Sequence, residues 1–113
     1  MLHFRWAKTE ADGWHVLSSV NLENAKIYGV YVIWHEGEPG RVICVGQGNI
    51  RDRLKFHRRN PEVQKFAKFG ALRVMWAAVQ AHQVDGVERY LADYLKPLIV
   101  DVRPDASPIA VNL

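Results

Sequence analysis

The sequence predicts an α/β (α+β) domain in which a small, mainly antiparallel, three-stranded central sheet is flanked by helices. Two apolar runs, at 30–34 and 41–45, are separated by the segment HEGEPG. Gly and Pro are typical of a tight connection, so the pair is predicted to form an antiparallel hairpin. A third run, at 71–79, is apolar at every position except Arg73, as in a central strand that is buried on both faces.

The length and composition set the class of protein. With 113 residues, of which 49% are hydrophobic and 24% charged, one domain at 1–113 is expected. We divide it into an N-terminal extension at 1–28, a core at 29–97 and a C-terminal tail at 98–113. No apolar run approaches the roughly 20 residues that cross a bilayer, so no membrane association is expected. The N-terminus lacks a signal-peptide core, and a lone Cys44 favours the cytoplasm.

The first predicted elements in chain order are a short edge strand at 14–17, the hairpin, and a helix directly after it. The Gly-Gln-Gly sequence at 46–48 is expected to end the second hairpin strand. Asn49 is a good N-cap and Asp52 suits the helix dipole, so a helix is predicted from residue 50 to about residue 59. Ile50 and Leu54 define its buried stripe.

Two further helices are predicted from their caps. Pro61 at the first helical position, with Asn60 as its cap, starts a helix that Gly70 ends. The residues of this helix that we expect to be buried are Val63, Phe66 and Phe69. The last helix is predicted at 86–96, with Asp85 as its cap. Its expected buried stripe consists of Val84, Val87, Leu91 and Leu95.

Positive charge is concentrated in the middle of the chain. Residues 51–73 carry eight Lys or Arg and two acidic residues, a net charge of +6, whereas the whole chain carries +3. Such a segment indicates a polyanionic partner, most often nucleic acid. A solvated helical face is the alternative that charge alone leaves open. The candidate nucleic-acid contacts are Gln47, Arg51, Lys55, Arg58, Arg59, Lys65 and Lys68.

Three sets of side chains are candidates for chemistry. Glu88 projects within the apolar stripe of the last helix, where a carboxylate is unfavourable unless it is paired or binds a metal. Its alternative role is a capping box with Asp85. Arg53 and His57 lie one turn apart beside the buried stripe of their helix, which favours a shared pocket over simple polyanion contacts. Tyr31 is otherwise an ordinary aromatic residue of a core strand.

The order of these residues resembles the GIY-YIG nuclease family. Gly29-Val30-Tyr31 and Cys44-Val45-Gly46 stand where the family has Gly-Ile-Tyr and Tyr-Ile-Gly, and Arg53-x-x-x-His57 follows on a helix. Downstream, Glu88, Leu91 and Pro97 match the spacing of the family's metal-binding glutamate and its neighbours. Asn112 is a candidate for the family's late asparagine. Cys44 departs from the pattern, because a thiol lacks the reach of a phenol and is a weak hydrogen-bond donor.

The resemblance implies a divalent-metal-dependent endonuclease that hydrolyses phosphodiester bonds of duplex or branched DNA. In that function Glu88 holds Mg²⁺ or Mn²⁺, Arg53 stabilises charge on the phosphate, and Tyr31, assisted by His57, directs the attacking water. Asn112 completes the catalytic set. Cys44 favours a different outcome, a module of the same fold that binds nucleic acid without cutting it. A protein-interaction domain with a basic face is the third possibility.

Overall fold

The computed structural model describes residues 1–99 and 103–113. Within these residues it confirms an α+β domain, in which a four-stranded antiparallel sheet packs against three α-helices. The elements are β1 (His15–Val16), β2 (Tyr28–His35), β3 (Arg41–Asn49), α1 (Ile50–Arg58), α2 (Pro61–Gln64), a 3₁₀ turn (Lys65–Phe69), β4 (Leu72–Ala78) and α3 (Val84–Leu95). No helix in the described part of the chain is both long and apolar enough to span a membrane.

Strand β2 is the centre of the sheet, whose order is β1-β4-β2-β3. β2 forms the predicted hairpin with β3 on one side and pairs with β4 on the other. The three predicted strands are therefore present, and the expected short edge strand, β1, adds a fourth beside β4. The N-terminal residues also belong to the fold, because Leu17 and Trp6 are buried in the core.

Strand β3 continues further than we predicted. Instead of ending at the Gly-Gln-Gly sequence, it runs to Asn49, because Gly46 and Gly48 pair with Tyr31 and Gly29 of β2. Gly29 itself has no room for a side chain, since a Cβ there would collide with the Ala77 carbonyl of β4. The extended pairing carries β3 directly into α1 with no loop between them.

Helix α1 lies where it was predicted, whereas the next helix is shorter. The Asn49 side chain accepts a hydrogen bond from the Asp52 backbone N–H at 3.2 Å, which caps α1 as expected. The α-helix that begins at Pro61 ends after Gln64 and continues as the 3₁₀ turn to Phe69. The tighter turn places Phe69 at the surface, 53% exposed, so its predicted burial was wrong. Val63 is buried and Phe66 is half-buried, packed against the core.

Helix α3 begins at Val84, two residues earlier than predicted. Its hydrogen bonding starts when the Val87 N–H donates to the Gln83 carbonyl at 3.0 Å. Gln83 is therefore the N-cap residue. Asp85 lies inside the first turn, so both its predicted capping role and the capping box with Glu88 were wrong. The predicted stripe is otherwise correct: Val84, Val87 and Leu91 are buried and Leu95 packs at its edge.

The sheet separates two layers of core. Side chains alternate along β2, so Tyr31 and Ile33 pack with α1 and α2 while Val30 and Val32 pack with α3. Helices α1 and α3 therefore lie on opposite faces of the sheet, and the edge strand β3 runs between them.

Candidate functional site

A cleft of about 610 Å³ lies along β3, where the helices on the two faces of the sheet approach the same edge. Its floor includes Val45 and Gly46 of β3. One wall comes from α1 and the other from α3, and Pro97 and Ile99 of the tail close one end. The tail is held to this edge because the Leu98 and Ile99 N–H groups donate to the Val42 and Ile43 carbonyls, at 3.0 and 2.9 Å.

Tyr31 enters the cleft by crossing β3 over a glycine. Its strand partner is Gly46, and a Cβ at Gly46 would lie 2.5 Å from the Tyr31 Cζ and closer still to the hydroxyl. With that space available, the Tyr31 hydroxyl reaches α1 and lies 2.8 Å from His57 Nε2. Both side chains are buried. The glycine of the Cys-Val-Gly sequence is thus what allows a strand residue to hydrogen-bond with a helix residue.

Arg53 completes this wall one helical turn before His57. Its side chain is exposed and lines the cleft, and its guanidinium carbon lies 5.2 Å from the centroid of the Phe56 ring. Its side chain passes over Gly48, where a Cβ would lie 3.0 Å from the Arg53 Cγ. The structure thus brings together the three residues that the sequence analysis placed in one pocket. We call Tyr31, Arg53 and His57 the α1 wall.

The environment keeps the Tyr31 phenol protonated. Burial raises the pKa of Tyr31 to about 12, because the charged phenolate is poorly solvated in the protein. The nearby Arg53 guanidinium opposes this rise in pKa, whereas Cys44 and Glu88 add to it. At neutral pH the hydroxyl therefore carries its proton.

The opposite side of the cleft is acidic. Glu88 of α3 is half-buried and lines the cleft. Gln47 Nε2 donates to Asp85 Oδ1 at 2.8 Å and lies 3.5 Å from Glu88 Oε2. One neutral amide on β3 therefore links two carboxylates on α3. We call Glu88 and Gln47, together with the neighbouring Asp85, which does not itself line the cleft, the α3 wall. Gln47 was predicted as a nucleic-acid contact, and its amide is instead directed at this wall.

The α3 wall fits a divalent ion only in a particular way. The described residues contain no group of three or more His, Cys, Asp or Glu side chains that could hold a metal. Mg²⁺ is commonly held by one or two carboxylates, with water and substrate phosphate completing its shell. Glu88 supplies such a hard oxygen ligand at the cleft. The donor set thus fits an ion that binds together with a phosphate, and it does not fit a preassembled metal centre.

Asn112 does not line the cleft, so the structure does not bring it to the other predicted catalytic residues. Its side chain accepts from the Phe4 N–H at 2.5 Å and donates to the Phe4 carbonyl at 3.0 Å. Its own carbonyl accepts from Trp6 Nε1 at 2.8 Å. A parallel bridge between Leu2 and Val111 draws the tail towards the N-terminal segment. Asn112 therefore ties the two chain ends together.

The predicted basic surface divides into two kinds of residue. Arg58 is half-buried; its Nε donates to the Leu17 carbonyl at 2.7 Å and its Nη2 donates to the Val20 carbonyl. The expectation that Arg58 faces solvent was wrong, because the N-terminal segment packs over this side of α1. Arg59 is exposed. The remaining predicted contacts are half-buried or exposed, some of them beside an acidic partner: Arg51, Lys55, Lys65 and Lys68.

A second groove, of about 590 Å³, lies on the other side of α1 from the cleft. Lys55, Arg58 and Arg59 contribute its positive charge, and Asn60 and Pro61 form one end. Phe56 lines both this groove and the cleft, so it forms the ridge between them. We call this groove the basic groove.

Two residues of the region were missed by the sequence analysis. Asp85 lies three residues before Glu88, one helical turn away, and that spacing was the available signal for a second carboxylate. Phe56 is an aromatic residue in an otherwise basic helix, directly beside His57, and that composition was the signal for an exposed ring.

Comparison of the chain with family models, with curated proteins and with solved structures found no match.

Proposed function

We propose that this cleft hydrolyses phosphodiester bonds of DNA with the help of Mg²⁺ or Mn²⁺. The observation that carries the proposal is the opposition of the two walls: Arg53, Tyr31 and His57 on one side of β3 and Glu88 on the other, in a single cleft. The resemblance of these residues to the GIY-YIG motifs supports the same reaction. The cationic surface of α1 is the approach for a polyanionic substrate.

Arg53 is suited to bind the phosphate. Its planar guanidinium presents several N–H groups in a fixed fork that matches phosphate oxygens. Because the Phe56 ring already contacts the guanidinium, less reorganisation is needed when negative charge develops on the phosphate. We assign to Arg53 the stabilisation of that charge.

Tyr31 and His57 are suited to move a proton away from the attacking water. A phenol with a pKa of about 12 is almost never ionised at neutral pH, so Tyr31 acts as a relay. It passes its own proton to His57 Nε2, 2.8 Å away, as it takes one from the water that attacks phosphorus. The phenol is neutral before and after the step, and the imidazole ends with the proton.

Glu88 is the residue that would hold the divalent ion, whose charge supports the phosphate oxygens and the leaving oxygen when it is bound. Gln47 lies beside this carboxylate and also donates a hydrogen bond to Asp85. Gln47 fixes the geometry of the wall without neutralising its charge. The cationic residues on the rest of the helix surface, Arg51, Lys55, Arg59, Lys65 and Lys68, bind the DNA backbone by displacing counterions.

A second candidate function is a module that binds DNA without cutting it. The observation that favours it is Cys44, which lines the cleft beside Tyr31 in the place of the second motif tyrosine. In this function Arg53 and the basic groove bind phosphates, and the α1 wall serves as a rigid pocket.

Nicking of supercoiled plasmid separates the two functions. The assay uses the full chain with Mg²⁺, with Mn²⁺ and with EDTA, and the salt dependence of plasmid binding is measured beside it. The nuclease proposal predicts nicked circles with either metal and none with EDTA. Salt-dependent binding with no nicking in any metal would contradict cleavage and favour the binding module. Nicking that persists in EDTA would contradict the role of the ion.

A further inference from the structure

Phe56 is exposed where a strand of nucleic acid would pass. The side chain is 54% exposed although it is large and apolar. It separates the cleft from the basic groove and lines both. Phe56 and Asn60 are the two residues shared by both linings, so a strand with one phosphate in the cleft and its neighbour in the basic groove passes beside this ring.

The ring is surrounded by groups that suit such a strand. The Arg53 guanidinium lies on the cleft side, 5.2 Å from the ring centroid. The His57 ring meets Phe56 edge-on at 5.3 Å. Lys55 and Arg59 lie on the groove side. An aromatic platform flanked by cations is the arrangement with which proteins bind single strands, because bases stack on the ring while the cations follow the backbone.

We propose that the cleft acts on DNA with an unpaired nucleotide beside the phosphate that it binds, and that Phe56 stacks on the base of that nucleotide. This proposal rests on the proposed function for the phosphate in the cleft, and it adds the form of the substrate. A base inside a duplex has both faces covered by its neighbours. It can meet Phe56 only in a single strand, in a loop or branch, or after it is flipped out.

The chain contains a matched control for this role. Phe69 is 53% exposed, and Lys68 Nζ lies 5.2 Å from the centroid of its ring. Its exposure and its neighbouring cation therefore resemble those of Phe56. Phe69 lines neither the cleft nor the basic groove. An effect of aromatic surface in general would appear at both positions, whereas a stacking site appears only at Phe56.

The test compares two single-stranded probes of equal length and charge, a thymidine oligomer and an oligomer of abasic sites. Fluorescence anisotropy measures their binding to the full chain in EDTA, so that cleavage plays no part. The wild-type protein is expected to prefer the thymidine oligomer. Phe56→Leu should weaken binding of that oligomer by about 5- to 150-fold, the range for one base–aromatic stack. Binding of the abasic oligomer should not change.

The conservative variant and the control complete the design. Phe56→Trp should keep the preference for bases, and Phe69→Leu should bind both probes as the wild type does. Thermal melts of all variants verify that each one is folded. Equal wild-type affinity for the two probes, or an equal loss in Phe56→Leu and Phe69→Leu, would overturn the stacking proposal while leaving the phosphate chemistry in place. Failure to bind either probe at low salt would also overturn the stacking proposal, whereas plasmid nicking tests the phosphate chemistry separately.

Discussion

The two walls of the cleft are built by different means. In the α1 wall two functional groups bond directly to each other: the Tyr31 hydroxyl lies 2.8 Å from His57 Nε2. In the α3 wall two carboxylates are linked by the neutral amide of Gln47. The first wall is thus positioned in part by its own hydrogen bond before a substrate arrives. The second presents the Glu88 carboxylate, a hard oxygen ligand, to the cleft.

This difference assigns separate tasks to the two faces of one strand. Along β3, Gly46 faces α1 and makes room for Tyr31, and the next residue, Gln47, faces α3 and contacts Glu88. In the proposed function, this alternation along one strand puts the phosphate-binding residues on one side and the ion-binding residue on the other. Changes to one wall should affect phosphate chemistry, and changes to the other should affect the requirement for metal.

The largest effect is expected from Arg53→Ala. Loss of one preorganised donor to a developing oxyanion lowers rates by about 100- to 1,000-fold. Because Arg53 belongs to the α1 wall, the Mg²⁺ concentration that gives half-maximal nicking should not change. Arg53→Lys should recover only part of the rate, because an ammonium lacks the planar fork. A normal rate in Arg53→Ala, or a change confined to the Mg²⁺ requirement, would contradict the separation of tasks.

The next effect distinguishes two adjacent arginines at the end of α1. Arg58→Ala removes the donors to the Leu17 and Val20 carbonyls, and should lower the free energy of unfolding by about 2–4 kcal/mol. Arg59→Ala should leave stability unchanged and reduce the slope of log affinity against log salt by about one. Denaturant unfolding and DNA binding across a salt series measure both quantities. Equal stability of the two variants would show that Arg58 does not anchor the N-terminal segment.

A smaller, pH-dependent effect tests the environment of the α1 wall. The pKa of Tyr31 is raised from 10.0 to about 12 in the folded protein, so the folded state keeps a proton that the unfolded state releases. The contribution of Tyr31 to the free energy of unfolding is fully present below pH 10. It is lost as the pH rises towards 12, by an amount on the order of 2–3 kcal/mol. Unfolding of wild type and Tyr31→Phe across this range should show a steeper decline for the wild type. Parallel curves would contradict the burial of an un-ionised phenol.

Local signals in the sequence were sufficient for most of the site. Helical phase put Arg53 beside His57, and the same argument put Glu88 within the apolar stripe of α3. The hairpin predicted only that Tyr31 lies on a central strand, and the resemblance to the GIY-YIG motifs made it a candidate site residue. The positions of these residues could be predicted because each one is set by the geometry of its own element or of a neighbouring strand.

The residues that were misplaced depend on distant parts of the chain. Arg58 and Asn112 bond to residues that lie, respectively, 41 and 108 positions away in sequence. No local pattern records that the N-terminal segment covers α1 or that the two chain ends meet. The extension of β3 has the same origin, because its last residues are held by pairing with β2. Composition alone therefore overestimated the number of basic side chains that are available to a partner.

The central claim is that the α3 wall holds the ion used for cleavage. It is tested most directly by Glu88→Gln, with Asp85→Asn as its matched control. Both changes remove one charge from the same wall without changing its shape, and both side chains approach Gln47. Mg²⁺-dependent nicking should fall by orders of magnitude in Glu88→Gln. In Asp85→Asn nicking should persist, with a higher Mg²⁺ requirement. Both variants should still bind DNA in EDTA. Equal nicking rates in Glu88→Gln and the wild type would contradict the account.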